Sequence, residues 1–216
     1  MTEAQWLTGT DPRPLLDYAE VYLKAARTKV GRRKLRLFGC ACCRRLWHKL
    51  EDGGRRSVEL AERYADGHVS PAEMTAWAWE MQARPSGLAR DVWSPAAVLH
   101  VLERRPQDCT RAMNYAPWVS GDWRRECAAM ADLVRELWGN PFRPFPVSKA
   151  WLKWNTAAVP AMARFIYDER AFDRLPVLAD ALDDAGCDNA DLLGHLRGPG
   201  PHVRGCWAVD LLLGLG

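Results

Sequence analysis

The chain has no run in which apolar and polar residues alternate as they do in a half-buried strand, apart from 106–120, where short β-hairpins have room. It has no low-complexity segment and no internal repeat, which excludes solenoids and propellers. Its longest apolar stretch, CWAVDLLLGLG, is too short to cross a bilayer and contains Asp210, so no membrane anchor is expected. The opening residues, MTEAQWLTGTDP, lack the basic and apolar regions of a secretory signal. Zinc-protease, serine-hydrolase and nucleotide-loop signatures are absent. The cysteines are odd in number, 7, and Cys42 and Cys43 are adjacent. Free thiols in a reducing cytoplasm fit that usage better than a disulfide framework, and a cytoplasmic location is the expectation.

What is present reads as helix. Hydrophobic residues make up 48% of the chain and charged residues 26%, the balance of a globular protein. The 11 tryptophans supply large buried surfaces or aromatic-rich contact sites. Asp11-Pro12 caps and opens a helix that the apolar spacing carries to about Ala26, with Gly31 as its break. A second helix is expected from Arg32 to Leu50, stopped by Gly53-Gly54. Leu35, Phe38, Cys42, Leu46 and Leu50 share its apolar face, and Cys40 lies off that face. Further helices are expected from Ser57 to Tyr64, from the capping box Ser70-Pro71-Ala72-Glu73 to Ala83, from Ser94-Pro95 to near Arg105, and after Ser120. In 139–146 three prolines alternate with aromatic residues, which implies an extended segment laid over the body, with Phe142 and Phe145 docked. Helical stretches follow near 147–153, 156–168, 174–185, 189–197 and 203–214.

The net charge of +3 hides an asymmetry. Residues 24–56 are densely basic, with only Glu51 and Asp52 as acids, while 168–191 is acidic. A basic block can contact nucleic acid, and Arg32, Arg33 and Arg36 are the residues that would do it. It can equally pair with the chain's own acids or form a solvated helix face.

Cysteine and histidine cluster at two places. FGCACCRRLWH holds Cys40 and Cys43 at a Cys-x2-Cys spacing, and GHLRGPGPHVRGCW holds His202 and Cys206 at a His-x3-Cys spacing. Each pair lies about one helical turn apart, so Cys40, Cys43, His202 and Cys206 are a candidate ligand set for one structural zinc ion, with His48 and His195 as competing ligands. Buried structural thiols are the alternative. A nucleophile–base pair of Cys206 and His202 is a further reading, but no third orienting residue and no cysteine-enzyme signature accompany it. Arg197-Gly198-Pro199-Gly200-Pro201-His202 is glycine-rich, yet its prolines remove N–H donors, and a helix stop at Gly198 is the better account. Asp180, Asp183, Asp184, Asp188 and Asp191 miss the calcium-loop pattern; Asp188 is expected to cap the next helix. Asp210, in a helix apolar nearly all round, is expected to be buried and ion-paired with Arg44 or Arg45.

The runs KLRLFGCACCRRLWHKL, AERYADG, WGNPFRP, IYDERAFDRLPVLADALDDAGC and HLRGPGPHVRGCWAVDLLLG resemble a family of uncharacterised bacterial proteins abundant in planctomycetes. The resemblance covers about residues 1–66 and 135–216 and implies no activity. RLPVLADALDDAGCDNADLLGHLR is also similar to the short repeat-companion segments of such bacteria, which implies a packed pair of helices. The expectation is an all-α, single globular multi-helix domain over 1–216 with its N- and C-terminal helices packed together. Its parts are 1–66, a divergent middle 67–138, the extended segment 139–146, and 147–216. The expected function is a non-catalytic protein-interaction or adaptor module with a protein partner, stabilised by a structural zinc. A nucleic-acid-binding protein using 24–56 is the alternative, and a cysteine-dependent enzyme the third reading.

Overall fold

The structure, a computed structural model, describes residues 1–83, 93–115 and 121–216, with the side chains of 93–96 excepted. The chain is all-α. The helices are α1 (Glu3–Thr8), α2 (Pro12–Val21), α3 (Lys29–Arg45), α4 (Asp52–Ala65), α5 (Pro71–Ala83), α6 (Trp93–Val101), α7 (Pro106–Cys109), α8 (Trp123–Trp138), α9 (Lys149–Glu169), α10 (Leu175–Asp184), α11 (Ala190–Arg197) and α12 (Trp207–Leu213). No strand occurs among the described residues. Most of the segment with room for hairpins is helical, and its end at 116–120, with Ser120, lies outside the described residues. The described residues cluster into two compact units, Met1–Val134 and Arg135–Gly216, so the boundary falls within α8 and upstream of the Pro-rich segment.

In the first unit α3 is the central element. It packs against α4, α6 and α7, and from Arg33 to Cys43 every residue of it is buried. Cys40, expected off the apolar face, is therefore buried with Cys42 and Cys43, because α3 is enclosed on all sides rather than along one stripe. Gly31 does not break a helix. It sits inside α3, where a Cβ would come within 2.3 Å of the Ala25 backbone. The chain leaves α2 at Val21, earlier than its apolar spacing suggested, and tucks Ala25 into that contact. Gly39 likewise abuts the Cys109 carbonyl, 2.4 Å from where its Cβ would be. The expected stop at Gly53-Gly54 is also displaced: α3 ends at Leu46, a short 3-10 turn follows over Trp47–Lys49, and both glycines lie in the first turn of α4.

Part of the basic block turns inward, while Lys24, Arg27, Lys29, Arg32, Lys49 and Arg56 stay exposed. Arg44 forms a two-pronged pair with Glu62 at 2.7 and 2.8 Å, and Arg45 another with Glu126 at 2.8 and 2.9 Å. The expected pairing of Arg44 or Arg45 with Asp210 is thus corrected: both guanidinium forks are matched to glutamates of their own unit. The geometry is the bidentate one that carboxylates favour. Arg33 pairs with Asp66 at 2.8 Å. Arg36, 2% exposed, donates to the backbone carbonyls of Val101 and Glu103 and lies over the Tyr64 ring. The capping box of α5 is formed as expected, with Ser70 and Glu73 exchanging hydrogen bonds.

In the second unit α9 packs against α10 and α12, and α10 against α11. Val159, Ala163, Ile166, Leu175, Leu178, Leu182, Leu192, Leu196 and Val209 fill the core between them. The helical path of α9 breaks at Trp154–Ala157, where Asn155, Thr156 and Ala157 take left-handed backbone angles, close to the gap expected between 153 and 156. The cap of α11 is Asn189, not Asp188: its side chain accepts from the Leu192 N–H. Arg197 donates to Asp180 and Asp183, which accounts for two of the clustered aspartates. The segment 139–146 is non-helical and docked, with Phe145 and the following Val147 packed on the core. Asp210 is fully buried, as its apolar helix implied.

Two glycine substitutions separate close packing from helix propensity. Gly39→Ala forces a methyl into the Cys109 backbone and is expected to cost about 1–3 kcal/mol. Gly194→Ala, inside α11 with nothing within 4 Å of the added Cβ, is expected to stabilise by about 0.5–1 kcal/mol. Urea unfolding of both variants measures the contrast.

Candidate metal centre

Four chemistry-bearing side chains converge in the second unit. Glu136 points in from the last turn of α8, His195 from the last turn of α11, His202 from the loop that follows, and Cys206 from the N-cap of α12. Their ligand atoms all lie within 4.8 Å of one another. The closest approaches are 3.2 Å between His195 Nε2 and Cys206 Sγ, 3.3 Å between His202 Nδ1 and Glu136 Oε1, and 3.4 Å between His195 Nε2 and Glu136 Oε2. Glu136, 3% exposed, and Cys206, 0%, are buried, and the two histidines are half-buried.

Local sequence explains the placement. Asn189 starts α11 and Gly198 ends it, which sets His195 one turn from the helix end. Gly200 then takes φ +88°, and a Cβ there would stand 2.5 Å from the His202 N and 3.2 Å from its ring. Glycine is what lets the loop bring His202 back over the end of α11. The His202 ring is locked in turn by Nε2, 3.1 Å from the Gly198 carbonyl. A carbonyl only accepts, so Nε2 carries the proton and Nδ1 is the atom offered to the cluster. A ring held by a backbone carbonyl on its far nitrogen is the usual outer support of a metal-ligating histidine. His195 packs edge-on to His202 at 5.1 Å and lies 4.9 Å from the Trp207 ring, between centroids.

Burial is the first cause of every shift in the cluster. Burial pushes the Glu136 carboxyl up, with His202 partly offsetting it. Burial pushes the Cys206 thiol well above the ordinary cysteine range, and the Glu136 carboxylate adds to the shift. Burial pulls His202 down, but its hydrogen bond to Glu136 and that carboxylate's charge outweigh the burial, leaving it raised. His195 is held down to about 4 by burial and by His202, so it is neutral at pH 7. One carboxylate, two imidazoles and one thiol in a closed interior cluster can hold a metal ion.

Only half of the sequence-derived ligand set belongs to this cluster. His202 and Cys206 are in it, joined by His195, which the sequence marked as a competing ligand. Cys40 and Cys43 are not: their thiols face the Val58 and Ala97 carbonyls inside the first unit, at 3.9 and 3.5 Å, and burial raises both thiols. Glu136 was missed. It lies 66 positions from His202, and a lone glutamate near a helix end carries no ligand spacing.

The cluster does not suit thiol catalysis. Residues 202–206 are not helical, and Cys206 and Glu136 approach the same nitrogen of His195 rather than opposite ones. A nucleophile–base–acid relay needs both ring nitrogens. Of the arginines considered for nucleic acid, Arg33 and Arg36 are buried and bonded within their unit, and Arg32 is exposed.

No protein-family model, curated protein or solved structure matches the chain.

Gly200→Ala is expected to weaken metal binding about 10–100-fold, the usual effect of disturbing an outer support of a ligand, while the helix content stays unchanged. Isothermal titration with a divalent transition metal and far-UV circular dichroism make the two measurements.

Proposed function

We propose that this protein is a non-catalytic, helical interaction module whose second unit is pinned by one structural zinc ion bound to Glu136, His195, His202 and Cys206. The observation that carries the reading is the convergence of those four ligand atoms within 4.8 Å of one another, two of them on buried and two on half-buried side chains. At zinc–nitrogen and zinc–oxygen bonds of about 2.0–2.1 Å, the ligand atoms of a tetrahedron stand about 3.3–3.4 Å apart, and about 3.6 Å where one is sulfur. The imidazole approaches to Glu136, 3.3 and 3.4 Å to its two oxygens, are close to those edges, and the 3.2 Å approach of His195 to the Cys206 sulfur is about 0.4 Å short of one. The widest pair, at up to 4.8 Å, needs about 1 Å of side-chain adjustment to reach them. A mixed N, O and S set is poorly matched to magnesium or calcium, which take oxygen ligands.

Four protein ligands make a closed site, the hallmark of structural rather than hydrolytic zinc. The ion would tie the end of α8 to the end of α11 and the start of α12, three elements the chain otherwise joins through long segments. Interaction, rather than chemistry, is supported by apolar side chains that face outward. Val21 and Tyr22, each about two-thirds exposed at the end of α2, stand beside Tyr18, which stacks on Tyr22.

Metal analysis of the purified protein is expected to give one zinc per chain. Zinc at about a thousand times its Kd should raise unfolding stability by about 4 kcal/mol, and Cys206→Ala should abolish that gain. Binding should weaken as pH falls from 7 to 5. A metal ligand must be deprotonated, and Glu136, His202 and Cys206 are each shifted upward, so protons compete with the ion and acid drives it off. Zinc titrations across that range read the sign directly. A chain without zinc whose stability ignores added metal would overturn the reading.

A further inference from the structure

The segment 139–146 is built onto the metal cluster at both of its anchoring points. Glu136 sits in the last turn of α8, and Gly139, three residues on, begins the extended segment. At the other anchor, Cys206 is the N-cap of α12 and Trp207 its first residue. The Trp207 ring lies against the His195 ring at 4.9 Å on one side and meets Phe145 edge-on at 5.9 Å. Gly139 closes against the same indole, 3.0 Å from where its Cβ would be. Phe145 and Val147 continue the packing onto the core of the unit. One tryptophan thus connects a candidate ligand to the extended segment that covers it.

We infer that the ion bound by Glu136, His195, His202 and Cys206 controls the docking of the 139–146 segment, so that metal loss releases this strap and uncovers Trp207. The inference rests on the metal-binding reading above and adds regulation to it. With the ion in place, Glu136, His195 and Cys206 are fixed to one centre, which fixes the start of the strap, the ring beneath Trp207 and the start of the helix that carries Trp207. Without it, those side chains keep mutual contacts of 3.2–3.4 Å and a hydrogen bond from the Val203 N–H to Glu136, but no common centre fixes them. The His195 ring then turns more freely, and the indole loses its flat support. The helices have a second hold, an apolar core shared by α9, α10, α11 and α12 that also takes in Cys206. The strap is the element with most to lose: three prolines deny it a helical ladder, and its aromatic contact runs through Trp207.

The experiment compares the full chain loaded with zinc and the same chain stripped by a chelator. Two readouts are followed: chymotrypsin cleavage after Phe142, located by mass spectrometry, and amide hydrogen exchange across the unit. Zinc binding is measured separately by titration. Stripping is expected to speed cleavage after Phe142 and exchange in 139–146 at least tenfold, with α9, α10 and α11 still protected. Phe145→Ala, which removes the contact with Trp207 but no ligand, is expected to make the strap cleavable even in zinc-loaded protein of unchanged stoichiometry. Zinc binding with a strap equally protected in both forms overturns this inference and leaves the metal reading standing. Protection lost evenly over all helices also overturns it, because the ion would then hold up the whole unit rather than the strap. Absence of zinc binding removes both.

Discussion

The second unit depends on a carboxylate kept out of water. Glu136 is nearly inaccessible, and burial alone would drive it to its neutral form, which is the direction of its shift. A polar group in that position must be matched by neighbours, and the chain supplies two imidazoles and a thiol from three other points. Each neighbour brings its own constraint. His202 needs the Gly198 carbonyl behind it and a glycine at 200 to bend the loop, and His195 needs α11 to end where it does. Cys206 must stand at the head of α12. The loop between α11 and α12 is therefore shaped less by turn preference than by the need to bring those groups to one carboxylate.

Aromatic packing carries this order outward. The His195 ring is shared between His202 and Trp207, and Trp207 between His195 and Phe145. Such contacts contribute about 0.5–1.5 kcal/mol each beyond the area they bury. They matter more for direction than for magnitude. The strap meets the cluster through these rings, and Phe145 and Val147 also pack directly on the apolar core beneath it.

In the first unit the governing constraint is different. α3 lies at the centre of the unit, yet it carries much of the chain's positive charge. Buried guanidinium groups require full pairing, and the unit meets that need with Asp66, Glu62, Glu126 and a set of backbone carbonyls. Part of a basic block in sequence is thus a set of internal ion pairs, while Lys24, Arg27, Lys29, Arg32, Lys49 and Arg56 are exposed. Pairing of this kind adds little net stability over apolar packing, but removing one partner leaves a buried charge and is expensive.

The amino-acid sequence determined the all-α class, the capping box at Ser70, the helix stop at Gly198, the docked Pro-Phe segment, the break near 153–156 and the burial of Asp210. Each follows from information held within a turn or two: a cap, a proline, a helical period. It also marked His202, Cys206 and, as a competitor, His195, because they lie within a short run. What the sequence could not decide was partnership. Gly31 and Gly53-Gly54 carry the local sign of a helix break, yet they lie inside helices; at Gly31 the reason is a backbone that approaches where a side chain would stand. Arg44 and Arg45 have several acids as arithmetically suitable partners, and only the packing of α3 assigns them to Glu62 and Glu126. Cys40 and Cys43 have ligand spacing, but enclosure of α3 turns them toward backbone carbonyls. Glu136 has no spacing at all, and it joins the cluster because the end of α8 meets the loop after α11. Local conformation is set by neighbours in sequence, whereas a metal cluster is set by which distant side chains share one interior volume.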